Sequence, residues 1–258
     1  MDQPTKSTKS TVRVAGIVLK WVRGDKEANC QRAEPLIRQA AAGGAQIVCT
    51  TECFLDGYAI QDKTIPLPEY LALGEPIPSG PYYRRLAALA AELRIHLVAG
   101  MLEADGEPRY NTAVLIGPDG SLIGRYHKQR LGHEIERNTA GAASPVFETA
   151  HGRLGIMICA DRHVPGIAAA FAAGGADYIL CPSGGAFGPE RNDPKVQARS
   201  RETGLPIVFV HPAEFLATGP DGSNLACTLV GDRRLVSPEQ VGGADDSSRV
   251  FWQDVPVA

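Results

Sequence analysis

What constrains this chain most is a hydrophobic period that keeps switching between that of a strand and that of a helix. Residues 12–19 form a β-rich run; Ala33, Leu36, Ile37 and Ala40 then share one helical face, Gly43-Gly44 stops that helix, and residues 46–50 follow as a short buried strand. After a Pro/Gly loop over residues 66–81 the unit repeats, with Tyr83, Leu86, Leu89, Ala90 and Leu93 on a helix and residues 95–102 as the next strand. Such alternation predicts an α/β fold, a sheet covered by crossover helices, and argues against an all-β sandwich or a helical bundle.

The second half keeps the pattern. Residues 110–116 and 121–127 flank Gly117-Pro118-Asp119-Gly120, whose turn chemistry predicts a hairpin. Residues 146–149 and 153–159 form another pair, the latter apolar enough to be buried on both faces. A helix from about Val164, a strand over 177–181, a helix opened by Asp193-Pro194 and running to about Thr203, and strands over 205–210, 226–230 and 249–254 complete the expectation. Residues 1–10 are expected to form a disordered tail and residues 11–258 a single domain, since no linker or repeat divides the chain.

Charge narrows the partners. With 26 basic against 29 acidic side chains among 258 residues, interspersed and netting -3, there is no polyelectrolyte block to meet nucleic acid or an anionic membrane. A small molecule is the expected ligand. The most apolar long window, residues 164–181, contains Pro165 and Asp177 and reads as helix plus strand rather than a membrane span. The opening MDQPTKSTKS has no apolar signal region, so the six scattered cysteines are expected to be reduced and the protein cytoplasmic.

In α/β sheets functional side chains lie just beyond the carboxyl ends of strands. Glu52 follows QIVCTT, Lys128 follows SLIGRYH, and Cys159 ends LGIMIC. A carboxylate, an ammonium and a thiol can serve as general base, oxyanion stabiliser and nucleophile. Each also has a plainer reading. A strand-end cysteine is usually a small buried hydrophobe, as Cys181 is expected to be, and a Glu or Lys after a strand is usually solvated. A metal site has less support: Cys49 and Cys53 are the only close cysteine pair, and the six histidines show no ligand-like spacing.

Taken together, the three segments resemble, in order and spacing, the nitrilase superfamily of carbon-nitrogen hydrolases. TTECFLDGY is similar to its glutamate segment, GPDGSLIGRYHKQRL to its lysine segment and LGIMICADRHVPG to its nucleophile elbow; RYNTAVLIGPDG and ADYILCPSGG match further strands, so the likeness spans nearly the whole chain. The resemblance implies Cys159 as nucleophile, Glu52 as general base and acid, and Lys128 with the backbone N–H of Ala160 as oxyanion stabilisers. A carboxylate can take the thiol proton while an ammonium favours the thiolate. A second glutamate is implied after the lysine, where HKQRLGHEIERNTAG offers Glu134 and Glu136; spacing from Gly141 favours Glu134, the longer offset from Lys128 favours Glu136, and Glu134 is preferred.

Two departures from the family pattern, Ala140 for a proline and Gly166 for a glutamate, bear on substrate rather than chemistry. The resemblance places Arg162, Asp161 and His163 beside the substrate. Asp161 has an equal reading as a turn residue bonding backbone. Arg162-His163 resembles the segment of N-carbamoyl-amino-acid amidohydrolases, where an arginine could hold a substrate carboxylate, or Arg162 could instead brace the elbow by pairing with Asp161 or another acid. Also implied are a four-layer α-β-β-α sandwich, no cofactor or metal, pairing into a homodimer, and an amide, carbamoyl or nitrile substrate. The alternatives are a nitrile hydrolase, a non-catalytic binding protein and an acyltransferase on the same fold.

Overall fold

Alternation along the first strand sets the layering. The structure, a computed structural model, describes residues 10–185, 188–230 and 248–257. In β1 (Thr11–Val18) Val12, Val14 and Val18 join one apolar cluster and Ala15 and Ile17 another, so both faces of the strand are covered. A strand buried on both sides must lie inside a stack of layers.

The first sheet runs in the order β13 (Arg249–Pro256), β1, β2 (Ile47–Cys49), β4 (His96–Ala104), β5 (Arg109–Ile116), β6 (Leu122–His127), with β3 (Glu75–Pro76) beside β4. The second runs β12 (Asn224–Leu229), β11 (Glu214–Thr218), β10 (Ile207–His211), β9 (Tyr178–Pro182), β8 (Gly152–Ile156), β7 (Val146–Thr149). The sheets face each other: Val14, Cys49 and Leu115 of one share a core with Ile156, Cys181 and Phe209 of the other. On the far side of the first sheet, Ile17, Val48 and Leu97 pack against Ala33 and Ile37 of α1 (Lys26–Ala42) and Leu86 of α3 (Pro81–Leu93). On the far side of the second sheet lie α4 (Pro165–Ala173) and α5 (Pro189–Thr203), α5 packing on β10 and β11. This is the expected α/β architecture with two sheets between helical layers. Each fully buried aromatic or aliphatic side chain in it contributes about 1.5–3 kcal/mol.

The structure differs from expectation in four places. Residues 66–81 are not all loop: Pro66 and Pro68 pre-set the backbone for α2 (Leu67–Ala72), and β3 follows. Helix α5 begins at Pro189 rather than at Asp193-Pro194, because Pro189 at the first helical position sets its start, leaving Pro194 inside the helix. Strand β11 was not foreseen, since HPAEFLATG mixes proline, acid and alanine and shows no clean period. The strand before Cys159 ends at Ile156, so the thiol sits on the turn beyond it. Of the tail expected at residues 1–10, residues 1–9 lie outside the described residues, and Ser10 O accepts from Val257 N–H at 2.8 Å. No described helix is long and apolar enough to cross a membrane.

Candidate active site

Three turns carry the reactive side chains, two from the first sheet and one from the second. Beyond β2, Thr50 N–H donates to Val98 O at 3.0 Å; the chain then bridges the gap between the sheets, where Glu52 N–H donates to Ser183 O at 3.2 Å. This path presses on β4 so closely that a Cβ at Gly100 would lie 2.4 Å from Thr51 O, so only glycine fits there. Beyond β6, Lys128 N–H donates to Asn111 O at 2.9 Å, and its side chain is left only 2% exposed. Beyond β8, Met157 N–H still pairs with Leu180 O at 3.1 Å, and Cys159 then takes a φ of 46°. That left-handed conformation costs a non-glycine residue about 1–3 kcal/mol and must be held by its surroundings.

Asp161 does the holding. Its buried carboxylate accepts from Ile158 N–H at 2.9 Å, Arg130 N–H at 2.7 Å, Gln129 N–H at 3.2 Å and Tyr126 O–H at 2.8 Å. The elbow is thereby joined to the segment that carries Lys128. These four bonds all go to the protein, the pattern of a backbone-binding turn residue, and Asp161 is not among the residues that line the cavity.

Around Lys128 the bonding is dense. Lys128 Nζ donates to Glu52 Oε1 at 2.6 Å and, closer still, to Glu134 Oε1. Asn111 Nδ2 spans the same two carboxylates, 2.8 Å from Glu52 Oε1 and 3.0 Å from Glu134 Oε2. Asn138 Nδ2 adds a 3.3 Å bond to Glu134 Oε2 and is itself fixed by Tyr70 O–H, which donates to its Oδ1 at 2.5 Å. Burial opposes the charge on Lys128, but Glu52 and Glu134 outweigh it and hold its pKa well above the usual lysine value. Geometry separates the two glutamates: Glu134 is fully buried in this network, whereas Glu136 is exposed and pairs with Lys63 at 3.5 Å.

One oxygen of Glu52, Oε2, is buried with no hydrogen-bond partner among the described residues, and it faces Gly184, where an added Cβ would come within 3.0 Å of it. The Gly184 carbonyl accepts from the Cys159 thiol at 3.6 Å, so a proton donor and an unused carboxylate oxygen meet across this glycine. Burial, then Glu52, pushes the Cys159 thiol up, against the pull of Lys128 and Arg162. The ammonium's expected promotion of the thiolate is therefore outweighed in the resting site. The thiol is protonated at neutral pH with a base beside it.

These groups open onto a cavity of about 240 Å3 whose wall includes Tyr58, Lys128, Cys159, Ala160, Arg162 and His163. Arg162 is nearly buried, with Nη1 3.4 Å from Cys159 Sγ, Nη2 donating to Asn192 Oδ1 at 2.6 Å, and its guanidinium 5.5 Å from the Phe209 ring centroid. It braces through Asn192 and the thiol, not through Asp161. His163 is exposed at the rim; partial burial, then Arg162 and Lys195, push its pKa down to about 4, so its ring is neutral in the neutral range. Asn111, Asn138, Tyr70 and Asn192 were not foreseen. Asn111 had a signal, an amide side chain in a strand whose second half, Ala113 to Ile116, is wholly apolar. Among the described residues, the group with metal-ligand spacing is Asp193, Glu214 and Cys227, none of which lines this cavity.

Comparison with known proteins decides the family, for residues 12–240 match the carbon-nitrogen hydrolase family model. The chain belongs to the carbon-nitrogen hydrolase family. Among curated relatives, a bifunctional nitrilase/nitrile hydratase of Lupinus angustifolius is 32% identical over 189 residues, 67% of this chain and 54% of that protein. An omega-amidase of Xenopus tropicalis is 33% identical over 203 residues, covering 73% of this chain and 70% of the relative. The chain thus spans about half the length of the plant nitrilases it matches. Among solved structures, Saccharomyces cerevisiae Nit3, a member of branch 10 of the nitrilase superfamily, superposes with a TM-score of 0.79 at 23% identity, covering 98% of this chain and 93% of Nit3. A glutamate-to-glutamine mutant of the amidase from Nesterenkonia sp. AN1, carrying the acetamide moiety of fluoroacetamide on its active-site cysteine, reaches 0.79 at 21% identity, covering 98% and 94%.

Proposed function

We propose that this carbon-nitrogen hydrolase cleaves the amide or carbamoyl C–N bond of a small molecule through a thioester on Cys159. The observation that carries the reading is the Cys159 thiol at the cavity wall, held across Gly184 from the unbonded Oε2 of Glu52 and beside the ammonium of Lys128. Glu52 Oε2 takes the thiol proton as sulfur attacks the carbonyl carbon. The carbonyl oxygen gains the negative charge and is met by Lys128 Nζ and the N–H of Ala160. As the tetrahedral adduct collapses, the C–N bond breaks, Glu52 returns the proton to nitrogen, and ammonia or an amine leaves. Water then gives a proton to Glu52 and its oxygen to the acyl carbon, the C–S bond breaks, and the thiol recovers its proton as the acid departs. Glu134 keeps Lys128 in place and shares its charge.

The cavity's small volume suits a small-molecule substrate. Arg162 favours one that carries a carboxylate, because its guanidinium lies in the cavity wall with Nε lacking a hydrogen-bond partner among the described residues. The neutral ring of His163 leaves Arg162 as the cation at that end of the cavity. The curated relatives named nitrilases support nitrile turnover as the second reading, in which the same thiol attacks a nitrile carbon. We further propose a cytoplasmic homodimer, whose pairing light scattering on the purified chain tests.

A screen of released ammonia and amine over ω-amides, aliphatic amides, N-carbamoyl compounds and nitriles tests the reading. Turnover of amides or carbamoyl compounds above nitriles supports it. Turnover of nitriles alone moves the assignment to the second reading; binding without release makes the chain a binding protein, and transfer to an added amine without hydrolysis an acyltransferase. For Arg162, kcat/KM for matched substrates with and without a carboxylate should differ in the wild type and converge in Arg162→Ala. Equal values in the wild type would remove the carboxylate from the proposal.

A further inference from the structure

A second group of reactive side chains lies beneath α5. Strand register creates it. In the antiparallel pair of β11 with β12, Leu216 stands opposite Cys227, so Cys227 faces the same side as Leu216 and as Glu214, two residues earlier on β11. Helix α5 packs on β11 and brings Asp193 to the same point. One ligand atom from each of Asp193, Glu214 and Cys227 lies within 4.8 Å of the others, and Cys227 Sγ is 3.9 Å from Asp193 Oδ2.

An independent observation points to a cation site here. Glu214 is fully buried, and among the described residues neither of its carboxylate oxygens has a hydrogen-bond partner; Asp193 Oδ1 has none either. Asn192, whose Oδ1 accepts from Arg162, lies next to them, and its side chain and the charge of Arg162 both favour the Glu214 carboxylate without giving either oxygen a well-aligned hydrogen bond. Two carboxylates turned toward one another out of water are strongly unfavourable unless a proton or a cation joins them. At Lys128 the same pairing of buried acids is met by an ammonium. Here the third group is a thiol.

A sulfur with two carboxylate oxygens is a donor set for a borderline divalent ion of the zinc class, whereas magnesium and calcium take oxygen alone. Tetrahedral zinc with such ligands separates the donor atoms by about 3.5 Å, within small side-chain adjustments of the spacing found. Cys227 is exposed and a groove beside Asp193 opens to solvent, which leaves an entry path and room for a water as fourth ligand. We propose that Asp193, Glu214 and Cys227 bind one zinc-class divalent cation, tying α5 to β11 and β12. Binding displaces the Cys227 thiol proton and any proton shared by the carboxyls into solvent.

The test uses cobalt(II), then zinc, on the metal-free full chain. One equivalent of cobalt should give a thiolate-to-metal charge-transfer band, present also in Cys159→Ala and absent in Cys227→Ser, and zinc should bleach it and raise the melting temperature. Asp193→Asn and Glu214→Gln should each weaken cobalt binding at least about tenfold, the loss expected for one ligand. Should the buried Glu214→Gln fold poorly, the half-buried Asp193→Asn carries the same measurement. No band, a band that survives Cys227→Ser, or one undiminished in the carboxylate variants would overturn the proposal.

Discussion

The two halves of the catalytic cavity are held in opposite ways. On the first sheet, Lys128 is clamped by Glu52 and Glu134, which share Asn111, while Asn138 and Tyr70 brace Glu134 from behind. On the second sheet, Cys159 sits on a left-handed turn, its sulfur touched only by the Gly184 carbonyl and Arg162 Nη1 among described hydrogen-bonding groups. The difference matches what the proposed reaction asks of each half. In the proposed reaction the ammonium of the charged half keeps its place, which suits its dense bonding, while Glu52 Oε2 has no hydrogen-bond partner among the described residues. The proposed reaction asks Cys159 to form and break a covalent bond, which suits a sulfur left nearly unbonded while Asp161 fixes the backbone behind it.

Breaking the nucleophile half should have the largest effect. Cys159→Ala is expected to lower kcat by at least about 10^4-fold with an unchanged melting temperature, since no other thiol lines the cavity. Steady-state ammonia release with a thermal melt checks both; an active variant would remove the thiol from the chemistry.

Breaking the charged half should cost activity and stability together. Glu52→Gln and Lys128→Met are each expected to lower kcat at least about a hundredfold, and the double variant should fall well short of the product. Lys128→Met leaves two buried carboxylates facing each other, and urea unfolding should show a loss of about 3–5 kcal/mol. If either variant raised only KM, that residue would bind substrate instead.

The halves also oppose each other on the thiol. On top of burial, Glu52 raises the Cys159 pKa and Lys128 lowers it, so Glu52→Gln should alkylate faster with iodoacetamide at a given pH although its turnover collapses, and Lys128→Met slower. In the wild type, alkylation of Cys159 should still be rising above pH 9.0, because more thiolate forms as pH climbs through a raised pKa. Cys227 should label first, being exposed, and Cys181 after Cys159, being buried with its thiol pushed up to about 12. Peptide mapping gives the order, and faster labelling of Cys181 than of Cys159 would contradict it.

Smaller effects separate the rim from the core. Asn192→Ala frees Arg162 Nη2 and is expected to lower kcat/KM about tenfold for carboxylate substrates and less for neutral ones. His163→Asn should change kcat/KM less than about threefold and leave the neutral part of the pH profile unmoved, because the ring titrates near 4. An inflection lost near neutrality in that variant would show that His163 carries a working proton.

Much of this site was legible in the sequence for a physical reason. Glu52, Lys128 and Cys159 follow strands, and strand ends are where a sheet presents side chains to a ligand. Glu134 was within reach because a short turn returns it to Lys128. The supporting residues were not, since Tyr70 lies in a stretch whose prolines suggested only loop, and Asn138 and Asn192 have no periodicity to mark them. Asp161 shows the limit most sharply: a buried acid beside a nucleophile reads equally as substrate contact or as turn anchor until its four donors are seen. Asp193, Glu214 and Cys227 come together only through a strand, β11, whose sequence shows no clean period.

The most direct test of the central claim is the mass of the chain quenched during turnover of an amide substrate. The account predicts an acyl adduct, heavier than the free chain by the substrate's acyl group less one hydrogen, mapping to the Cys159 peptide and accumulating in Glu52→Gln. Ammonia released with no adduct at any time, or an adduct on another cysteine, would contradict it.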